Sequence, residues 1–463
     1  MVARSVLALL VIASVLTTAP AAGARARPDG PATPASREAA WQQHLAMEQA
    51  SLYRGLNWRS IGPTIQGGRV ADIESVPGQP YTFYIAYSTG GVWKTTNNGG
   101  SFEPLTDRLF NTVTGDIAVD PSAPDTLWVG SGEPNSARSN YGSHGVWVSR
   151  DGGKNFEHKG LADSDRIARV LVDPRGAKRV IVAAAGKLYS TGGSRGIFLT
   201  EDGGATWRNV LKGTAPWVGA SDLVMHPTNP DILYAALWER SRVPWRFVES
   251  GAGSGVYKSV DGGRSWAKLD GFPSGPTIGR IGLDIARSQP DTVYASIDLW
   301  DPLPEALRAA GDQPLSPARF KDMSQEEFLR QDPDAIEAFI RRRDLPVEID
   351  AKSLIADVKS GKVTLDMLRQ RLKDANASLF DVDIWGLTIW RSDDAGGQWK
   401  RTHEQPLRDV VYSYGYYFGQ IRVDPRNPQR VYALGVPMIV SDDGGASWSG
   451  YANHRDVHFD HQQ

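Results

Sequence analysis

The sequence predicts an all-β protein: a β-propeller with six recognisable four-stranded blades, read as part of a seven-bladed ring, plus a helical insertion. Three observations predict it. An eight-residue phrase recurs as TTNNGGSF (95–102), SRDGGKNF (149–156), TEDGGATW (200–207), SVDGGRSW (259–266), SDDAGGQW (392–399) and SDDGGASW (441–448). Between the copies lie paired apolar runs broken by Pro/Asn/Asp turns, such as DIAVDPSAPDTLWVGSGE (116–133) and DLVMHPTNPDILYAALWE (222–239). Successive phrases begin 54, 51, 59, 133 and 49 residues apart, which is the length of one blade except where about 80 residues are inserted.

Taken in order, residues 1–24 read as a secretory signal, with Arg4 before the apolar run Val6–Leu16 and small residues at Ala22-Gly23-Ala24. The expected location is secreted or periplasmic, and no stretch approaches the roughly 20 apolar residues of a membrane span. Residues 25–56 read as a linker and a short helix capped by Ser36. Blades 1 to 4 and half of blade 5 fill 57–300; a helical insertion fills 301–380; the rest of blade 5, blade 6 and the start of a further blade fill 381–463. Within a blade, two runs flanking the Pro-rich turn give strands one and two. A run such as GVWKTT or GVYKSV gives strand three, and the eight-residue phrase turns the chain into strand four. In the insertion, Ser324 and Glu327 form a capping box, Asp332-Pro333 starts a helix carrying Ile336, Phe339 and Ile340, and Thr364 caps another carrying Leu365, Leu368 and Leu372.

The phrase itself reads as a brace. Its hydroxyl and its Asp or Asn (Asn97, Asp151, Asp202, Asp261, Asp394, Asp443) can accept backbone N–H groups, and the later Gly permits a backbone angle that other residues resist. A calcium loop would need a bidentate Glu at its twelfth position, which no copy supplies, so no metal and no cofactor are expected. At the end of the chain His458 and His461 flank a carboxylate, but residues three apart on a strand face opposite ways. With 51 basic and 53 acidic residues there is no field suited to nucleic acid, and with no cysteine there is no disulfide or thiolate chemistry.

The pattern S/T-x-D-x-G-x-x-W resembles the Asp-box (BNR) repeat of sialidases, of sortilin-type propellers and of xyloglucan-hydrolysing glycosidases. The opening NWRSIGPTIQGGRV with GVWKTTNNGGSFEPL is similar to exported bacterial proteins of the sortilin N-terminal-like or glycosyl-hydrolase-like kind. The resemblance implies the propeller and both enzymatic and binding relatives. It departs from the hydrolases at AYSTGGVW, where Ser88 and Thr89 stand in place of a catalytic Asp, and from sialidases at Arg59-Ser60-Ile61-Gly62-Pro63.

Function is expected on one end of the ring. The Pro-rich turns and the eight-residue turns share one end; the loops of variable length share the other. Ligand candidates there are Arg69, Arg138, Tyr141, Trp238, Arg242, Trp300, Tyr414 and Tyr416, joined by the aromatic Trp245 and Phe247. Rings interspersed with hydrogen-bonding groups suit a polysaccharide or a peptide. Three readings follow: a binder of glycan or peptide, a glycoside hydrolase using Glu133 and Glu239, and a scaffold for assembling exported proteins.

Overall fold

The structure is a computed structural model. It describes residues 33–56, 67–107, 109, 113–307, 315, 320, 323–342, 350–371, 384–408, 410–451 and 460–461. The signal segment, the Arg59–Pro63 stretch and His458 lie outside the described residues.

The residues that precede the ring contain one helix, Pro34–Ala50, with no buried side chain. Its N-cap is Thr33, three residues before the expected Ser36. Pro34 occupies the first helical turn, where a missing N–H costs nothing, and Ser36 closes a reciprocal capping box with Thr33.

Six four-stranded antiparallel sheets form the propeller. Their innermost strands are Val70–Ser75, Thr114–Val119, Ile167–Val172, Val218–Met225, Ile278–Ile285 and Ile421–Val423. The outermost strands run to only two to four residues, as in Glu103–Pro104 and Arg208–Leu211. Short outer edges, one of them carrying a proline, offer little template for pairing with another chain. Apolar residues fill the layers between adjacent sheets. Trp128, for example, lies between blades 2 and 3 with Val170, Val182 and Phe198.

The eight-residue turns show one hydrogen-bond pattern six times. The hydroxyl of Thr95, Ser149, Thr200, Ser259, Ser392 or Ser441 accepts from the N–H of the Gly four residues on at 2.8–2.9 Å and donates to the Asn or Asp two residues on at 2.7–2.9 Å. That glycine takes φ between 84° and 96° in every copy, a region closed to most side chains. Each turn is also tied to the Pro-rich turn of its own blade by a backbone bond, for example from Gly152 N to Asp125 O and from Gly262 N to Asp231 O. Both sets of turns therefore occupy one end of the ring.

Around the axis the inner strands are joined by carboxylates. Asp72, Asp116, Asp222 and Asp284 each accept the backbone N–H of the next blade's inner strand, from Ile117, Val170, Leu283 and Val423 respectively, at 2.6–3.2 Å. In blade 3 the equivalent position is Arg169. Its guanidinium reaches Asp222 at 3.0 Å, Asp116 at 2.9 Å and Gln420 at 3.4 Å, linking blades 2, 3, 4 and 6. Burial works against its charge, but the carboxylates of Asp222, Asp116 and Asp72 outweigh that and hold its pKa above the ordinary value.

The insertion between strands two and three of blade 5 carries helices Gln325–Leu329, Pro333–Arg342, Ala351–Lys359 and Leu365–Arg371. Ser324 and Glu327 form the capping box, and Thr364 Oγ1 accepts from Met367 N. Phe328, Ile336, Phe339, Ile340, Leu354 and Leu368 pack on one another as a separate small core.

Candidate functional site at the axial mouth

A recurring bulge shapes the opposite end of the ring. In blades 1 to 4 the ladder skips the residue just before the axial Asp or Arg: Ala71, Gly115, Ala168 and Ser221 are bypassed. A bulge bends the strand and re-aims the side chain that follows it, here toward the axis. The first three bulged residues are small and line a pocket of about 30 Å³, open to solvent, together with Ser88, Glu133, Asn135, Arg280, Tyr417 and Gln420. A Cβ at Gly115 would come within 2.1 Å of Ile167 O, so only glycine fits there.

Glu133 is almost fully buried in the wall of this mouth. Arg69 grips both of its oxygens, through Nε and through Nη2 at 2.6 Å, and Asn135 Nδ2 donates to Oε1 at 2.8 Å. Arg69 also lies 5.7 Å from the Tyr417 ring. Asn140 continues the network: it donates to the backbone oxygens of Glu133 and Asn135, while its own Oδ1 accepts from Arg166 Nε. Glu239 lies at a separate place on the same end, where its Oε2 accepts from Gly253 N at 3.1 Å and its N–H donates to Ser254 Oγ. The two carboxylates proposed as a catalytic pair are therefore each committed to a structural bond.

The other candidates sort into those turned inward and those exposed. Trp238 is 1% exposed, with Nε1 on Glu249 O and its ring against the guanidiniums of Arg240 and Arg280. Tyr416 is buried, edge-on to Phe247 and 5.5 Å from Tyr414. Trp300 is half-buried and donates to Asp298 Oδ2. Tyr141 is exposed, and the Arg138 backbone oxygen accepts from Tyr189 Oη. Arg242 anchors a hairpin, Ser241–Val243 with Arg246–Val248, by donating to Ser136 O and covering the Phe247 ring at 3.8 Å. At the tip of that hairpin Trp245 stands 84% exposed.

Four arginines complete the site, and of these the sequence placed only Arg240 on the loop face. Arg166, Arg195, Arg240 and Arg280 are all buried. Apart from the Asp165 partner of Arg166, they donate mainly to neutral oxygens: Arg195 to Ala185 O and Ser190 O, Arg240 to Asn135 O and Ser136 Oγ, Arg280 to Tyr417 O and Phe418 O. Burial lowers the pKa of Arg240 well below normal, and repulsion from Arg166, Arg195 and Arg280 adds to that. Burial likewise brings Arg280 and Arg195 down to about 10. Two acids on the same end shift the other way. Burial first, and Asp298 second, push Glu249 up to about 10, and burial pushes Asp298 up to about 7. Glu249 Oε2 and Asp298 Oδ1 are buried without a hydrogen-bond partner among the described residues. No short-range sequence signal marks these residues, because what sets them apart is contact with segments far along the chain.

Comparison with known proteins matches the same architecture. A family profile described as "Sortilin, neurotensin receptor 3" matches residues 144–278. The chain is a β-propeller, similar over part of its length to sortilin. An oligoxyloglucan-reducing end-specific xyloglucanase of Emericella nidulans is 24% identical over 227 residues, covering 45% of this chain and 24% of the relative. A probable enzyme of the same name from Neosartorya fischeri is 20% identical over 440 residues, covering 81% of this chain and 50% of the relative. The chain thus spans half or less of the length of these curated relatives. Among solved structures, an ancestral GH74 enzyme is 18% identical with a TM-score of 0.49, covering 85% of this chain and 39% of the other. The GH74 enzyme of Niastella koreensis is 17% identical with a TM-score of 0.49, covering 82% and 46%. Among the described residues no helix is long and apolar enough to cross a membrane.

Proposed function

We propose that this sortilin/xyloglucanase-like propeller is an exported polysaccharide-binding protein that takes its ligand on the loop end of the ring. The observation that carries the reading is Trp245. A large indole left 84% exposed costs solubility unless a ligand covers it, and it projects from a hairpin whose stem is held by Arg242 on Ser136 O and by Arg242 N on Leu188 O. A fixed aromatic face beside hydroxyls, amides and guanidiniums is the chemistry that stacks and hydrogen-bonds a sugar ring. Relatives named as xyloglucanases support a glycan over a peptide.

Hydrolysis through Glu133 and Glu239 is the weaker reading. A general acid needs a proton to give, and Glu133 is held as the ion-paired partner of Arg69. The test is affinity electrophoresis through gels containing xyloglucan or another cell-wall polysaccharide, with a reducing-end assay alongside. We expect retardation by at least one polymer, its loss in Trp245→Ala with an unchanged melting temperature, and no new reducing ends. Retardation that survives Trp245→Ala removes the reading, and reducing ends that vanish in Glu133→Gln would establish the hydrolase instead.

A further inference from the structure

We propose that the pocket at the axial mouth takes a carboxylate-bearing sugar, a uronic acid unit of an acidic polysaccharide, with Arg280 as the residue that receives the carboxylate. This rests on the polysaccharide reading and narrows its ligand class.

The first reason is charge. Around the mouth, Arg69, Arg166, Arg240 and Arg280 face Glu133 and Asp165, each already paired with its own arginine, and Asp222, which Arg169 holds. Arg240 and Arg280 are buried and rest on backbone carbonyls or hydroxyls, with no carboxylate in hydrogen-bond contact. Buried charge without a counter-charge is expensive, and truncating or withholding the partner of such a group costs several kcal/mol in general. The carboxyl groups nearby are committed or weakly ionised: Asp222 and Glu133 attract Arg280 from a distance but are held by Arg169 and Arg69, and Asp298 is raised by burial to about 7. An anion entering the mouth would be the missing counter-charge.

The second reason is donor geometry. Arg280 is only 7% exposed, yet it lines the pocket. Its Nη1 carries all of its hydrogen bonds, to Tyr416 O, Tyr417 O and Phe418 O, which leaves Nε and Nη2 without a protein partner among the described residues. Those two atoms form one edge of the guanidinium, the edge that matches the two oxygens of a carboxylate. Gln420 faces the same space. Its Oε1 accepts from Arg169 and Arg422, so its Nε2 is the end left to donate. Ser88 is also in the lining, with a hydroxyl able to donate or accept. A planar acid group on Arg280, with ring hydroxyls on Ser88 and Gln420, would use each of these atoms. The cavity, about 30 Å³, admits the acid group itself, with the sugar ring at its opening and the remaining chain running outward over the loop face.

The test compares matched polymers. Binding of the full chain to polygalacturonate, to the same polymer after carboxyl reduction, and to neutral xyloglucan is measured by affinity electrophoresis and calorimetry at two salt concentrations. We expect polygalacturonate to bind at least tenfold more tightly than its reduced form and to weaken as salt rises. Arg280→Lys keeps the charge but removes the fork and should cost about tenfold. Because Arg280 also holds the 416–418 backbone, a second variant guards the result: Gln420→Glu keeps its oxygen contacts to Arg169 and Arg422 while placing a repelling carboxylate in the pocket, and it should cost at least as much. Equal binding of the two galacturonate polymers, or binding of xyloglucan alone, overturns the acidic ligand and leaves the polysaccharide reading intact. Preferential binding of polygalacturonate that is unchanged in Gln420→Glu also overturns it, since the anion would then sit elsewhere. Binding to none of the polymers sinks both.

Discussion

The two ends of the ring are built by opposite means. At the turn end every blade repeats one short set of bonds, closed within eight residues and organised around an ionised Asp or a neutral Asn. At the loop end the bonds run between distant parts of the chain: Arg69 to Glu133 across 64 residues, Arg240 to Asn135 across 105, Arg242 to Ser136 across 106. The carboxylates behave accordingly. Backbone N–H groups hold Asp151 down to about 2, and the hydroxyl and N–H of Ser447 do the same for Asp443. Burial pushes Glu249 and Asp298 up. One end is a solvated local clasp, tolerant of its surroundings; the other is a largely buried, mostly cationic network in which Glu249 and Asp298 resist ionisation. The difference teaches where a repeat protein can vary: a clasp whose bonds stay within the turn end of its own blade frees the opposite loops to diverge.

The axis joins the two halves, and breaking it should have the largest effect. Arg169→Met leaves Asp72, Asp116 and Asp222 facing one another without their shared cation. Removing one partner from a buried ion cluster typically costs about 3 to 5 kcal/mol, so denaturant unfolding should shift by about that amount. A change below about 1 kcal/mol would mean that the backbone bonds of these carboxylates suffice alone.

The contrast in pH response comes next. Asp298 has a folded pKa of about 7, above its unfolded value, so its stabilising contribution is complete below the ordinary carboxylate range and is lost as pH rises through about 7. The effect is on the order of a few kcal/mol for a group so buried. The melting temperature of the parent protein should therefore fall between about pH 5 and 7, and Asp298→Asn should flatten that fall. The clasps have the reverse sign. Asp151, Asp261 and Asp443 are held at about 2, so their contribution is present above the unfolded pKa and disappears as pH falls from about 4 to 2. Thermal melts across both ranges sharpen the comparison, and a single slope of one sign throughout would break it.

The smallest of the stability effects belongs to a single clasp. Ser149→Ala strands the buried N–H of Gly153 and removes one of the donors to Asp151, and should cost about 1 to 2 kcal/mol, leaving loop-end ligand binding unchanged.

This division also explains what the sequence disclosed. The clasps and blades were legible because their signal is local: hydroxyl, acid, glycine and indole at fixed offsets, followed by alternating apolar strands. The helix start at Pro34 was misplaced by a few residues because Thr33 and Ser36 are both able to cap and only the proline decides between them. The site was legible in outline, as a face rich in rings and arginines, but not in detail. Nothing local says that Trp238 points inward onto Glu249, that Arg69 would consume Glu133, or that Arg166, Arg195, Arg240 and Arg280 converge. Those facts arise from strand bulges and ring closure, which bring residues from separate blades to one mouth.

The central claim, that the loop end carries function and the turn end carries stability, is tested most directly by one paired measurement. Polysaccharide retardation is compared for Trp245→Ala at the loop end and Arg264→Ala at the turn end, both exposed residues. The account predicts that Trp245→Ala weakens binding about tenfold or more while Arg264→Ala binds like the parent protein. Equal loss in both, or loss only in Arg264→Ala, would contradict it.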